Sequence, residues 1–426
     1  MDMQTGIANE SIFRGLPLLS GLRRGADELV GARLLDGDVS FPIAVLKREE
    51  LDNNAAWMKL FAKSRGVSLW PHGKTSMAPA VFKRQIEDGA GWLTLASATQ
   101  ARVAREAGIR RILIANQVVN RHDLAYLARE LSRDPDLDLM LFVDSVAGVE
   151  LLDASLQAAE CPRRLGILIE IGVAQGRAGV RSAEEAAEIA RVIATRPRLA
   201  LMGLAGYEGV FTPKDPEGAA KVQRYLDYVA DIAGVLDAEG FFQEKEIILT
   251  AGGSKFFDLV AKRFQAVSLS RPVSTVIRCG CYLFHDVGIY EEAMQQLYVR
   301  DKAAAELGRL RPALEIWAEV QSRPELTRAI VAMGRRDASY DAGLPTPQLW
   351  CRPARNAQAL PLTDCRMVAL NDQHGFLEVP ADSPLAVGDI VGFGISHPCT
   401  VFDKWQLLCV VDRNYVVAET VRTYFT

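Results

Sequence analysis

From Pro42 to about residue 280, the sequence alternates between short apolar runs and amphipathic segments of helical length. The apolar runs are nearly continuous and rich in Ile, Leu and Val, which is typical of strands buried on both faces. Strands that alternate with helices in this way pair in parallel through right-handed crossovers. The predicted strands are 43–46, 67–71, 92–96, 111–115, 137–143, 165–171, 199–205 and 247–250, with further strand-like runs at 267–269 and 274–279.

Eight strand–helix units predict a closed (β/α)8 barrel of the TIM type. An open doubly wound sheet is the alternative, but no G-x-G-x-x-G follows the first strand. After Pro312 the pattern changes to short strands separated by Gly, Pro and Asp turns. The predicted fold class is therefore α/β. Residues 41–300 form the barrel, 301–426 a mainly antiparallel β domain, and 1–40 an N-terminal arm that packs on a partner subunit.

The composition of the chain argues against nucleic-acid binding and membrane association. The net charge is −4 and no run of Lys or Arg occurs, so nucleic acid is not an expected partner. No stretch of about 18 uninterrupted apolar residues occurs, and the amino terminus lacks the pattern of a signal peptide, so no membrane association is expected. Seven cysteines at scattered spacings indicate reduced thiols and a cytoplasmic location.

The segment Trp70-Pro71-His72-Gly73-Lys74-Thr75 follows the second predicted strand. In a barrel of this type the active site lies at the carboxyl ends of the strands, so Lys74 is placed to project into a pocket. In a dry pocket its amine would lose solvation and become nucleophilic. Strand alternation places His72 on the same side as Lys74. The alternative is a solvated lysine at a strand end.

Further candidates follow the later strands. They are Arg177, Tyr207, the turn Gly252-Gly253-Ser254, Arg278 and Tyr282. The turn runs into a predicted helix at Lys255, and glycine amides at a helix N-terminus favour a bound phosphate, although a tight turn capped by Ser254 explains the same residues. A lysine, an arginine and a phosphate cradle at one barrel mouth suggest pyridoxal phosphate.

A metal site is predicted near the carboxyl end. His397 and Cys399 follow a strand, and an extended backbone would direct both side chains to one side. Imidazole and thiolate are ligands typical of zinc, and two protein ligands leave positions for water or substrate. A buried histidine beside an inert cysteine is the alternative. His374, in a polar turn between two strands, is either part of a hairpin or directed to the same pocket.

Together these segments resemble the fold-type III pyridoxal phosphate enzymes, in the D-threonine aldolase / D-serine dehydratase (amino acid deaminase) branch with its barrel like that of alanine racemase. The resemblance covers about residue 40 to the end. It is carried by P-H-G-K-T at 71–75, A-N-Q at 115–117, Q-G-R-A-G at 175–179, G-Y-E-G at 206–209, G-G-S at 252–254 and H-P-C at 397–399. Ser76 and Met77 depart from the T-H-K continuation that many members have.

The resemblance implies a role for each matching position. Lys74 would carry the cofactor, and Arg177 and Tyr207 would surround it. Gly252, Gly253 and Ser254 would hold its phosphate, and Arg278 and Tyr282 belong to the closing R-x-G-x-Y segment. The role of His72 stays open between a supporting residue and a substrate contact.

The resemblance also implies the activity. Aldolases of this branch tend to have histidine and aspartate as the metal pair, whereas the dehydratases have histidine and cysteine. His397 and Cys399 therefore imply a zinc- and pyridoxal phosphate-dependent ammonia-lyase that acts on a β-hydroxy D-amino acid, with D-serine first. Retro-aldol cleavage, racemisation and non-catalytic cofactor binding are the alternatives. A homodimer is expected, in which the β domain of one subunit completes the barrel mouth of the other.

Overall fold

The computed structural model describes residues 29–212 and 214–425. Within them the chain divides into two compact units. We call residues 29–54, 283–291 and 310–425 the β unit, and residues 55–282 and 292–309 the barrel unit. Each unit is considered separately below.

The strands within the described residues are β1 (Ile43–Lys47), β2 (Ser68–Leu69), β3 (Leu93–Leu95), β4 (Arg111–Ile114), β5 (Asp138–Val143), β6 (Leu165–Ile171), β7 (Leu199–Gly206), β8 (Ile247–Ala251), β9 (Val273–Ile277), β10 (Leu314–Glu325), β11 (Arg328–Val331), β12 (Thr346–Cys351), β13 (Leu360–Pro361), β14 (Arg366–Leu370), β15 (Gly375–Glu378), β16 (Ile390–Gly394), β17 (Leu407–Val411) and β18 (Val417–Arg422). The helices are α1 (Arg48–Arg65), α2 (Pro79–Glu87), α3 (Ala98–Glu106), α4 (Arg121–Arg133), α5 (Val146–Ala158), α6 (Ala183–Ala194), α7 (Gly218–Ala238), α8 (Phe257–Gln265), α9 (Ile289–Arg300), α10 (Lys302–Glu306) and α11 (Cys399–Phe402).

The barrel unit is built on an eight-stranded sheet in the order β2-β9-β8-β7-β6-β5-β4-β3. Every pairing in it is parallel. An isolated parallel bridge between His72 and Thr94, with the Thr94 N–H donating to Pro71 O at 2.9 Å, joins the two ends of the sheet. The predicted (β/α)8 architecture is confirmed.

An apolar cluster contributed by successive strands of the sheet, from β4 to β9, fills the interior of the ring. Leu113, Phe142, Leu168 and Ile248 belong to this core, and each is almost fully buried. Trp70 lies at one side, where its ring stacks on Trp92 with the centroids 4.8 Å apart. The barrel is therefore a packed core, and chemistry is confined to its rim.

The sequence prediction counted the wrong set of eight strands. The run at 43–46 is a strand, but β1 pairs antiparallel with β10 and parallel with β17 in the β unit. The eighth strand of the barrel is instead β9, and the run at 267–269 is not a strand. β1 is almost fully buried, as a barrel strand would be, so its composition does not distinguish the two positions.

Helix boundaries follow the local capping residues closely. Ser97 and Ser182 accept hydrogen bonds from the N–H groups of Gln100 and Glu185, as expected of N-caps. Asn120 does the same for α4. In the part of the chain that the structure describes, no helix is both long and apolar enough to cross a membrane.

The β unit contains a largely antiparallel ten-stranded sheet with the main order β13-β12-β16-β10-β1-β17-β18. The runs predicted as strands after Pro312 are 314–320, 329–333, 366–370, 375–379, 390–395 and 406–412, so β12, β13 and β18 were not predicted. The predicted arm lies outside the described residues up to residue 28, and the following residues pack within this unit. Leu34 and Leu35 lie in a short 3-10 helix and join Trp317 in its core.

Candidate active site

Lys74 stands on a single 3-10 turn, Gly73–Thr75, directly after β2 at the rim of the barrel unit. Its side chain is exposed, whereas the neighbouring Thr75 and Ser76 are buried. The Thr75 hydroxyl lies 3.5 Å from the Cys281 thiol, which fixes the turn against the segment after β9. Lys74 is thus an exposed amine on a buried turn, at the edge of the sheet where the sequence predicted it.

His72 lies two residues before Lys74, where the ends of the barrel sheet meet. It is close enough to the cationic side chains of the site for their charges to affect its pKa. Burial, followed by the positive charges of Lys74, Arg278 and Arg177, holds the pKa of His72 well below its usual value. Its Nδ1 is buried without a hydrogen-bond partner. His72 is therefore held as a neutral imidazole, one nitrogen of which has no hydrogen-bond partner in the described residues.

Arg278 follows β9 and is almost completely buried. Its Nη1 donates to the Thr250 hydroxyl and its Nη2 to the Gly206 carbonyl, both at 2.6 Å. The guanidinium also lies over the ring of Phe142, 5.3 Å from the centroid. Three elements thus fix a buried positive charge at the centre of the rim, in one orientation.

Tyr207 and Arg177 contact each other, as the sequence placed them in one site. The Arg177 guanidinium lies 4.8 Å from the centroid of the Tyr207 ring. The backbone at Tyr207 is held by Tyr225 of α7, whose hydroxyl accepts from Tyr207 N–H at 3.0 Å and donates to Ile171 O at 2.7 Å. Burial raises the pKa of the Tyr207 hydroxyl, and the charge of Glu208 adds to this. Tyr207 is consequently a neutral phenol.

The glycine turn differs from its prediction. Gly252 N–H and Gly253 N–H were assigned to a phosphate, but they donate to the two carboxylate oxygens of Glu208 at 2.8 and 2.7 Å. The following helix begins at Phe257 with Phe256 as its N-cap, two residues later than predicted, so Ser254 is not a cap. Ser254 is half-buried in a bend after the turn. The predicted cradle is therefore present, but a carboxylate of the same chain fills it.

The structure does not bring Tyr282 to this cluster. Its side chain is almost fully buried and hydrogen-bonds to Gln85 of α2. Burial raises the pKa of its hydroxyl, and the charged side chains that act on it are Asp88 and Arg84 rather than Lys74 or Arg278. The closing segment supplies Arg278 to the rim, whereas Tyr282 packs against a helix.

Sequence reasoning missed one acidic member of the site. Glu170 is buried near the end of β6 and accepts from Gln117 Nε2 at 2.6 Å. Burial raises its pKa, against the hydrogen bond from Gln117 and the charges of Arg278 and Arg177. A single carboxylate inside the apolar strand LGILIEI at 165–171 was the available signal, because such a group is buried only when it has partners.

The residues present fit an aldehyde cofactor that bears a phosphate. An exposed amine stands beside a neutral imidazole with an unsatisfied buried nitrogen. Within the described residues, Lys74 and Arg177 make no ion pair, so both cations remain available to an anion. This donor set suits a negatively charged ligand that reacts with an amine.

The predicted metal pair belongs to the β unit. His397 Nδ1 lies 2.6 Å from Asp341 Oδ2, and the Thr400 hydroxyl donates to Asp341 Oδ1 at 2.8 Å. Burial favours a higher pKa for Asp341, but the bonds with His397 and Thr400 hold it below its usual value. Because Nδ1 faces Asp341, Nε2 of His397 is the nitrogen left for another ligand.

The backbone around the pair is not extended as predicted. Pro398 has helical angles, and Cys399 begins the short helix α11. In the described residues no group of three or more His, Cys, Asp or Glu side chains is arranged to hold a metal. His374 is exposed in the hairpin between β14 and β15, where its carbonyl accepts from Asn371 N–H. The chemistry of a histidine, a cysteine and a supporting carboxylate nevertheless fits zinc.

Comparison with known families assigns both parts of the chain. Residues 46–286 match the family model "Alanine racemase, N-terminal domain", which is more than half of the chain. Residues 313–411 match the model "Putative serine dehydratase domain". The order of the two matches is that of the predicted barrel and β domain.

Curated and solved proteins agree with these matches. A 3-hydroxy-D-aspartate aldolase of Paracoccus denitrificans (strain Pd 1222) is 25% identical over 409 residues, which span 95% of this chain and 94% of that protein. The crystal structure of D-threonine aldolase from Filomicrobium marinum has a TM-score of 0.76 at 23% identity, covering 92% of this chain and 97% of the other. At this identity the likeness establishes the fold.

A dehydratase shares the same fold. D-threo-3-hydroxyaspartate dehydratase from Delftia sp. HT23 has a TM-score of 0.71 at 22% identity, covering 92% of this chain and 99% of the other. Two variants of that dehydratase also have solved structures. In one a histidine is replaced by alanine, and in the other a cysteine that lies two positions after this histidine. The cysteine variant is described as the metal-free form.

A substitution at Gly280 tests the geometry of the rim. A Cβ there would lie 2.3 Å from the His72 carbonyl oxygen, which is backbone and has little room to move. We expect Gly280→Ala to cost about 2–3 kcal/mol of stability and to displace the turn that carries Lys74. Thermal unfolding and the reactivity of Lys74 toward an amine reagent measure the two effects.

Gly234→Ala in α7 is the matched control, because no atom lies within 4 Å of its added Cβ. We expect that variant to gain about 0.5–1 kcal/mol. Equal unfolding temperatures for the two variants would contradict the close approach of Gly280 to His72.

Proposed function

Because this chain belongs to the fold-type III pyridoxal phosphate enzymes that share the alanine racemase N-terminal domain, we propose that it is a metal-dependent ammonia-lyase acting on β-hydroxy D-amino acids. The products would be a 2-oxo acid and ammonia, with D-serine as the simplest substrate. One observation carries the proposal. Lys74, a neutral His72, Arg177, Tyr207 and the fixed Arg278 lie together at the carboxyl ends of the barrel strands.

Lys74 is the residue proposed to hold the cofactor and later to move the α-proton. Its exposed amine, free of ion pairs within the described chain, suits attack on an aldehyde. When bound, pyridoxal phosphate supplies an electron sink that stabilises negative charge at the α-carbon of the substrate. When it is not bonded to the cofactor, the amine of Lys74 would accept the α-proton of the substrate as general base.

Arg278 and Tyr207 would fix the orientation of the bound group. Both hydrogen bonds of Arg278 are already made before a ligand arrives, so its charge needs no reorganisation. The Tyr207 ring, held between Arg177 and the glycine turn, offers an apolar surface and a neutral hydroxyl. We assign to His72, whose Nδ1 has no hydrogen-bond partner in the described residues, a hydrogen bond from the substrate.

A zinc ion would be held by Nε2 of His397 and the thiolate of Cys399. The contact of Asp341 with Nδ1 supports this role, because the second ring N–H of a histidine ligand commonly donates a hydrogen bond to a carboxylate. Zinc would act as a Lewis acid for the β-hydroxyl group of the substrate. The histidine and cysteine replaced in the hydroxyaspartate dehydratase variants have the same spacing as His397 and Cys399.

Retro-aldol cleavage is the second candidate, and two observations favour it. The Paracoccus and Filomicrobium relatives are an aldolase of 3-hydroxy-D-aspartate and an aldolase of D-threonine. The Nδ1 of His72 has no hydrogen-bond partner in the described residues, which leaves it able to accept a hydrogen bond from the β-hydroxyl group. The H-x-C pair is what favours elimination over cleavage in our proposal.

The products distinguish the two reactions. With D-threonine we expect 2-oxobutyrate and ammonia, whereas cleavage of the Cα–Cβ bond would give glycine and acetaldehyde. D-serine and D-threo-3-hydroxyaspartate should likewise give pyruvate and oxaloacetate, each with ammonia. Mass spectrometry of the products, with the L-amino acids as controls, decides the question. Glycine as the main product from all three substrates would assign the aldolase reaction.

Lys74→Ala tests the assignment of the cofactor. We expect the visible absorbance of the bound cofactor to disappear and turnover to fall on the order of a thousandfold, because the attacking amine is absent. Lys83→Ala on the exposed face of α2 is the control and should leave both unchanged. A Lys74→Ala protein that keeps the absorbance of the wild type would refute the role of Lys74.

Removal of the metal tests the second site. Dialysis against EDTA should abolish ammonia release and zinc should restore it, since Lewis acid assistance is lost without the ion. We expect Asp341→Asn to weaken zinc binding by roughly 10-fold or more, as measured by competition with a chelating dye. Asp382→Asn, at an exposed carboxylate of the same unit, is the control. Full ammonia release after complete removal of zinc would contradict the role of the metal, whereas conversion of the D- to the L-amino acid that survives its removal would fit a racemase.

A further inference from the structure

Glu208 is a buried carboxylate that the proposed reaction leaves without a role. It lies on the 3-10 turn Glu208–Val210 directly after Tyr207, and its exposed fraction is 0%. Its Oε2 accepts from Gly252 N–H at 2.8 Å and its Oε1 from Gly253 N–H at 2.7 Å. Two oxygens on two successive amides satisfy the anion-binding capacity of this glycine turn.

The packing around Glu208 ties the turn to Tyr207. A Cβ on Gly209 would lie 2.3 Å from Tyr207 Cζ, and one on Gly253 would lie 2.9 Å from Tyr207 Cε2. The ring is therefore held between the backbone that follows Glu208 and the backbone that Glu208 binds. Any movement of the carboxylate would release both sides of the ring at once.

The charge of Glu208 is balanced inside the barrel. Burial raises the pKa of its carboxyl, whereas the two glycine amides and the charge of Arg278 lower it. Arg278 is itself fixed by Thr250 and Gly206. If the carboxylate left this position, two amide donors would lose their acceptor, and that of Gly252 belongs to a buried residue. Leaving would also separate the carboxylate from its compensating cation.

We propose that Glu208 is a positioning residue that permanently fills the Gly252–Gly253 amide pair, so that Tyr207 is fixed and the phosphate of the cofactor binds to other donors. This rests on the proposed binding of pyridoxal phosphate. It departs from the sequence expectation that these amides hold the phosphate directly. The rival arrangement is a carboxylate that vacates the amides when phosphate arrives.

Comparison of two ligands separates these arrangements. Dissociation constants of pyridoxal phosphate and of pyridoxal, which lacks the phosphate, are measured for the cofactor-depleted protein and for Glu208→Gln. The amide of Gln keeps one acceptor oxygen, so one glycine N–H would lose its partner. We expect both ligands to bind about tenfold more weakly, with the ratio of the two constants unchanged.

Two results would overturn the proposal. If Glu208→Gln bound pyridoxal phosphate more tightly relative to pyridoxal, the amides would be the phosphate site and Glu208 its competitor. If neither constant changed, Glu208 would position nothing that the cofactor contacts. Asp134→Asn is the control, because it removes a carboxylate paired with Arg105 elsewhere in the barrel unit and should change neither constant. Failure of the wild type to bind either ligand would count against the proposed function itself.

A measurement on the wild-type protein covers the case in which Glu208→Gln does not fold. Hydrogen exchange of the amides of Gly252 and Gly253 is followed with and without pyridoxal phosphate. We expect both amides to be protected already in the cofactor-depleted protein, because Glu208 accepts from them. Rapid exchange that slows only when the cofactor binds would assign the amides to the phosphate and contradict the proposal.

Discussion

Closure of the parallel sheet between the segment after β2 and strand β3 is the constraint on which the barrel site depends. β2 is only two residues long, so its own pairing with β9 holds little of this segment. The Thr94 N–H binds Pro71 O, and the Thr94 hydroxyl donates to Trp70 O at 2.7 Å. These bonds join the ends of the ring and fix His72. The position of Lys74 therefore follows from a backbone contact of Thr94.

Much of the fold was accessible from the sequence because helix–strand alternation is a local property. Caps such as Ser97 and Ser182 set helix starts within a residue or two. Partner choice is not local, however. β1 has the burial and composition of a barrel strand, and only its pairing with β10 and β17 shows that it belongs to the β unit. The strands β12, β13 and β18 of the β unit lacked a repeating pattern that would predict them.

The candidate site shows the same division. Lys74, His72, Arg177, Tyr207 and Arg278 were found because each follows a strand, and parallel strands share one carboxyl edge. Their orientation was not predictable. Tyr282 and Arg278 belong to the same short segment, and both were predicted to lie at the rim. The side chain of Tyr282 instead forms a hydrogen bond with Gln85. Cys399 likewise begins a helix where an extended backbone was expected, because Pro398 adopts helical angles.

The cationic side chains of the rim have two different roles. The buried Arg278 is paired within the protein, whereas the exposed Lys74 and Arg177 are available to a ligand. Arg278 is buried, and its positive charge interacts with the carboxylates of Glu208 and Glu170. The protein itself therefore compensates this charge. Lys74 and Arg177 are exposed, and no described carboxylate pairs with them. An anionic ligand is therefore drawn to the two exposed cations, while the buried one orders the strand ends. An acidic group held on the glycine turn follows from this division, since Arg278 needs a fixed counter-charge whether or not a ligand is bound.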